Sequence, residues 1–232
     1  MFFPLFDWTI ILLIPAIILA VYAQMRVSST FNRFSQVASR KRMTASEVAR
    51  GLIRENGLDV KVERVEGRLT DHYDPRTKVL RLSAPIHDSS SLAALGVAAH
   101  EVGHAVQHNL GYAALGLRNS LVPVANLGST LSFPILLIGL FMGIPMLVQI
   151  GVFAFAAVVL FQLITLPVEF NASRRAIALL TDGGYIGQDE VGPARSVLNA
   201  AALTYVAAAL MAILNLLRLL FLSGLFGGGD DD

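Results

Sequence analysis

The sequence predicts a mainly α-helical integral membrane protein with four transmembrane helices and a small α+β domain on the cytoplasmic side. Three observations predict it. Apolar residues make up 54% of the 232-residue chain and charged residues only 15%, against roughly 45–50% and about 25% in ordinary globular domains. Long stretches carry no Asp, Glu, Lys or Arg, as the interior of a bilayer demands. Finally, 17 of the 18 basic residues lie in two segments between those stretches. The chain has no cysteine, which excludes disulfides, thiolate metal sites and thiol catalysis. A net charge of +1 gives no case for nucleic acid as a partner.

The first charge-free run, Trp8 to Met25, is 18 residues long. Small residues around Val21-Tyr22-Ala23 resemble a signal-peptide cleavage site, but the preceding residues carry Asp7 and no base, so the run is read as a retained anchor over residues 1–25. The second run, Asn119 to Val168, has 50 residues. As one straight helix it would reach roughly 75 Å, more than twice a hydrocarbon core of about 30 Å. Gly143-Ile144-Pro145 supplies the turn, giving a transmembrane hairpin over 119–168 with spans near 121–142 and 146–166. The last run, Ser196 to Leu217, sits in a fourth span over 196–222, followed by a flexible acidic tail over 223–232. Basic residues crowd the segments 26–118 and 169–195, so the positive-inside rule makes both cytoplasmic and both termini extracytoplasmic. Arg218, near the end of the last span, is expected to snorkel toward the headgroups.

Residues 26–118 form the one stretch outside the spans long enough for a compact domain. Thr44 and Glu47 have capping-box spacing and Asn56-Gly57 is a stop signal, which predicts a helix over 45–55. Short β-prone pieces at 60–65, 68–72 and 79–82, separated by Glu66-Gly67 and Asp74-Pro75-Arg76, predict a small antiparallel sheet. Ser91 offers an N-cap, and Leu92, Leu95, Ala98, Ala99, Val102 and Val106 recur at helical spacing, which predicts a helix over 91–108.

Within that helix lies Ala99-His100-Glu101-Val102-Gly103-His104-Ala105, an H-E-x-x-H pattern. His100 and His104 stand four apart and share a helix face, close enough to hold one tetrahedral zinc. Glu101 reaches a water at that metal without being a ligand, as a general base must. With 5 His in the chain, chance placement yields about 0.003 such patterns. The bland reading, two surface histidines beside a solvated glutamate, is correspondingly weak. A catalytic zinc needs a third protein ligand. His108 lies about 12 Å of helical rise from His100, too far for both to bind one ion, and reads as structural. The longer metzincin pattern fails, since Gln107 and Leu110 stand where it requires Gly and His. Glu169 is the stronger candidate, because the hairpin returns it to the histidines' side of the membrane. Its alternative is an ion pair with Arg174 or Arg175.

Three segments together resemble a known family: Thr70-Asp71-His72-Tyr73-Asp74-Pro75-Arg76, the His100 motif, and Glu169-Phe170-Asn171-Ala172-Ser173-Arg174-Arg175. They look like the neutral zinc metallopeptidases of the YugP type, and more distantly like membrane gluzincins such as HtpX and the CAAX prenyl proteases. The resemblance implies a zincin-like cytoplasmic domain, Zn2+ held by His100, His104 and Glu169, and Glu101 as base. The distant relatives usually carry Asp where this chain has Ser173, which leaves Ser173, Asn171 or a backbone carbonyl to orient a ligand imidazole. Tyr73, His72 and Arg174 are candidate donors to an oxyanion, and the strand at 68–72 is a candidate to pair with an extended substrate. The expected activity is a membrane-embedded zinc metalloendopeptidase that cuts cytoplasmic or membrane-adjacent polypeptides, with the lipid bilayer as its other partner. Two alternatives stand beside it: a site-2-type intramembrane protease with Asp182 as third ligand, and a catalytically silent membrane scaffold stabilised by zinc.

Overall fold

A computed structural model describes residues 8–67 and 70–224. A 3-10 turn, Trp8–Leu13, leads into α1 (Ile14–Ser35). Then follow α2 (Ala45–Glu55), β1 (Lys61–Val65), β2 (His72–Asp74), β3 (Val79–Ser83), α3 (Ala84–His87) and α4 (Leu92–Asn109), and finally the long helices α5 (Ala113–Met142), α6 (Pro145–Asp182) and α7 (Gln188–Leu222). Four helices are long and apolar enough to cross a membrane: Trp8–Ser35, Ala113–Met142, Pro145–Asp182 and Gln188–Leu222. No more than 28% of the most apolar window in any of them is buried. Helices of a soluble core would hide that surface, whereas lipid covers it at no cost.

The chain divides into two compact units. The first comprises Met1–Tyr22, Leu117–Leu166 and Thr204–Asp232. Gly143, with φ +64°, makes the turn between α5 and α6, in the left-handed region that glycine enters freely. Pro145 opens α6, where its missing N–H costs nothing. Leu136, Val152 and Leu219 pack together inside this unit. Arg218 is only 8% exposed, and its Nε donates to Thr9 Oγ1 at 3.3 Å. The predicted tail lies, from residue 225 onward, outside the described residues.

The second unit comprises Ala23–Gly116 and Pro167–Leu203. Its core joins Val48, Leu52, Leu80, Leu82, Leu95, Val102, Leu180 and Leu198, from α2, β3, α4, α6 and α7. Helix α2 begins as predicted, with both halves of the Thr44/Glu47 capping box formed, and α4 begins at the Ser91 cap. The sheet differs from expectation. Its order is β1-β3-β2, with β1 parallel to β3 and β2 antiparallel to it. The Asp74-Pro75 turn makes a hairpin of β2 and β3, and β3 inserts between the two earlier strands, a choice that short isolated β-prone pieces do not encode. The second strand covers 72–74 rather than 68–72. Residues 70 and 71 are not in a strand, and residues 68 and 69 lie outside the described ones. The short α3 had no periodicity by which to be read.

Candidate metal centre

Helix α4 presents the histidines from the middle of the second unit's core. Its interior is nearly all small or apolar, so His100, Glu101 and His104, each partly exposed, stand out on one side. The two imidazoles lie edge to face with ring centroids 4.7 Å apart, one turn of helix. Helix α6 crosses close by. A Cβ built on Gly103 would stand 2.7 Å from the carbonyl oxygen of Ala172, so glycine between the two histidines permits the approach. The same turn of α6 carries Glu169 and Ser173.

Glu169 is buried, at 2% exposure, with Oε2 3.2 Å from His100 Nε2 and 3.7 Å from His104 Nε2. These three groups offer ligand atoms all within 4.8 Å of one another. Tetrahedral ligands about 2.0–2.1 Å from a zinc ion stand about 3.3 Å apart, so the spacing fits an ion. The arginine alternative fails on geometry, because it is the imidazoles that Glu169 faces.

The other nitrogen of each ring is also engaged, and for His104 its partner places a proton. Gln107 is fully buried. Its Nε2 donates to the Val168 carbonyl at 2.8 Å and to Asn171 Oδ1 at 3.0 Å. A carbonyl can only accept, so the amide has one orientation, and its Oε1 is the atom 2.9 Å from His104 Nδ1. That nitrogen must then carry the proton, so the approach of Nε2 to the Glu169 carboxylate calls for positive charge between them, either a second proton on the ring or a metal ion in its place. Burial opposes charging His104, but the hydrogen bond to Glu169 and the nearby Glu101 charge outweigh it and hold the imidazole above its ordinary value. For His100, the Ser173 hydroxyl lies 3.2 Å from Nδ1. Ser173 and Gln107 are thus the side chains that contact the second nitrogen of each imidazole, and Asn171 contacts Gln107 and is itself held by Arg175 Nε at 2.7 Å.

Glu101 lies outside the three-residue group. Its Oε2 accepts the backbone N–H of Tyr73 at 2.9 Å, on the edge of β2 that does not pair with β3. The Tyr73 hydroxyl lies 2.9 Å from His108 Nδ1, so His108 is tied to the strand and not to the ligand group. Burial pushes the Tyr73 phenol up, with nearby Asp74 adding to the effect. His72 is exposed, with Nδ1 2.7 Å from the Thr70 carbonyl, and Arg174 lines a neighbouring cavity. Asp182, at the end of α6, is not in the metal-competent group. Gln107 was missed as a site residue by sequence reasoning. Its signal was a lone amide on the face of α4 that carries His100 and His104, three residues after the latter.

The comparisons agree with this geometry. No solved structure matches the chain. The chain is 47% identical over 218 residues to a Bacillus subtilis (strain 168) protein named "Putative membrane protease YugP", covering 93% of this chain and 97% of that one. With that relative and four helices long and apolar enough to cross a membrane, it is a multi-pass membrane protein. A family profile described as "Putative neutral zinc metallopeptidase" matches residues 9–224, and the chain belongs to that family.

Proposed function

We propose that the protein is a zinc metalloendopeptidase that hydrolyses cytoplasmic or membrane-adjacent polypeptides, with His100, His104 and Glu169 as the zinc ligands and Glu101 as general base. The observation that carries this reading is the convergence of two imidazole Nε2 atoms on one buried carboxylate, with Glu101 one residue from the first ligand. Bound zinc would supply the Lewis acidity that brings the pKa of water toward about 7 and polarises a scissile carbonyl. Glu101 takes the proton of the attacking water and passes it to the leaving amine. The Tyr73 N–H holds that carboxylate in place, Gln107 Oε1 keeps a proton on His104 Nδ1, and the Ser173 hydroxyl contacts His100 Nδ1. Glu101→Gln tests the reading. It should retain zinc and lose hydrolysis by about 10²–10⁴-fold, and retention of more than about a tenth of wild-type activity would overturn Glu101 as base.

The domain division belongs to the same proposal: an anchor at 1–25, a zincin-like peptidase domain at 26–118 completed by 169–195, a hairpin at 119–168, a fourth span at 196–222 and a tail. The distribution of basic residues supports a cytoplasmic site with both termini outside. Ser89→Cys in this cysteine-free chain should resist an impermeant thiol reagent in intact cells. Labelling there would reverse the topology.

A further inference from the structure

A cavity of about 430 Å³ lies between α6 and α7 in the second unit and shares a wall with the metal centre. The shared wall is Ser173, which lines the cavity and contacts His100 Nδ1. Phe170, next in the chain to Glu169, lines it as well. Its floor is apolar, with Ile177 from α6 and Leu198 from α7 exposed by only 9% and 3%. Two exposed guanidiniums, Arg174 and Arg195, and the exposed amide of Asn199 complete the lining.

The charges in this cavity are unbalanced. The acids of the same two helices are engaged elsewhere: Glu169 faces the imidazoles, Asp189 pairs with Arg40, Glu190 accepts the backbone N–H groups of Arg40 and Gly187, and Asp182 lines a different cavity. Among the described residues neither Arg174 nor Arg195 has an ion pair or side-chain hydrogen bond. Two like charges on one concave surface raise the local concentration of anions and favour a ligand that neutralises both. The volume lies in the ordinary range of about 300–1,000 Å³ for ligand sites, and the apolar floor suits the methylene groups of a side chain.

We propose that this cavity is a specificity subsite that holds a carboxylate of the substrate polypeptide between Arg174 and Arg195. The inference rests on the peptidase reading above and names its substrate class: polypeptides with an acidic side chain, or a free C-terminus, close to the scissile bond.

Binding tests it without turnover. The zinc-loaded, full-length Glu101→Gln protein in detergent micelles is titrated against fluorescent hexapeptides, followed by anisotropy. One peptide has a central Glu and an amidated terminus, one a central Gln and a free terminus, one a central Gln and an amidated terminus, and one a central Lys. A carboxylate-bearing peptide should bind about tenfold tighter than the Gln amide, and which of the two does so identifies the source of the carboxylate. Adding Arg174→Ala and Arg195→Ala should abolish the preference with zinc content unchanged, and Arg174→Glu should shift it toward Lys. Equal binding of all four peptides, or a preference that survives the double substitution, would overturn the subsite. Wild-type turnover of the Gln amide separates the two readings. Cleavage without charge preference removes the subsite alone, whereas charge-selective binding with no peptide cleaved removes the peptidase reading alone.

Discussion

The two units of the molecule engage their polar side chains differently. In the first, apart from the contact of Arg218 with Thr9, the hydroxyls of Thr130, Thr165 and Ser129 bond back to their own helix, at the carbonyls of Asn126, Phe161 and Asn126. Such bonds satisfy a polar group without saying which helix lies beside it. In the second, they reach across the chain. Gln107 joins Val168 and Asn171, His100 joins Glu169 and Ser173, Glu101 joins Tyr73, and Tyr185 donates to Glu55 at 2.6 Å. Each of these bonds is lost unless two remote segments meet in one arrangement. The contrast places the long-range polar network of the chain around the candidate metal centre.

The largest expected break in that contrast is Glu169→Ala. It leaves two histidines with one ligand missing, so zinc content after dialysis against a weak chelator and peptide hydrolysis should both be lost. His108→Ala removes only the contact with the Tyr73 hydroxyl and should keep the metal. Zinc lost in the His108 variant and retained in the Glu169 variant would refute the ligand assignment.

A matched pair of glycines sharpens the comparison at intermediate size. Both units bring α6 close through a glycine: a Cβ on Gly103 would meet the Ala172 carbonyl at 2.7 Å, and one on Gly128 would meet the Ala154 carbonyl at 2.5 Å. Backbone cannot yield as a side-chain tip would, so either substitution must shift a helix. Gly103→Ala should weaken zinc binding by separating Glu169 from the histidines. Gly128→Ala should lower thermal stability while a zinc titration of the folded protein stays near wild type. Equal zinc affinity in the two variants would show that the Gly103 approach does not set the site.

Legibility in the sequence followed the same division. The spans were readable because a charge-free run is a property of the run itself, and the Gly143-Pro145 turn and the Thr44 and Ser91 caps are equally local. The His100 motif is local too, within one helical turn. What escaped depends on remote partners. The order β1-β3-β2 was hidden because short strands do not name their neighbours. The role of Gln107 was hidden because its partners lie 61 and 64 residues away. The contact of Arg218 with Thr9 was hidden likewise, its acceptor lying 209 residues away.

Gln107 also provides the smallest and most diagnostic test. Gln107→Ala removes the acceptor that holds His104 Nδ1–H and leaves the Val168 carbonyl and Asn171 without that donor. The ligands remain, so zinc should still bind, but with affinity lower by about 10–100-fold, as is typical when an outer hydrogen bond to a ligating histidine is removed. Gln107→Glu keeps an acceptor for Nδ1 while removing the donor to Val168, and should recover part of the loss. Thr165→Ala is the matching substitution in the first unit. It deletes a similarly buried polar group, at 3% exposure, that donates to the Phe161 carbonyl of its own helix, and it should leave zinc affinity unchanged. If Gln107→Ala also left zinc affinity at the wild-type value, the remote hydrogen bonds of the second unit would be packing features of the fold with no part in orienting the site.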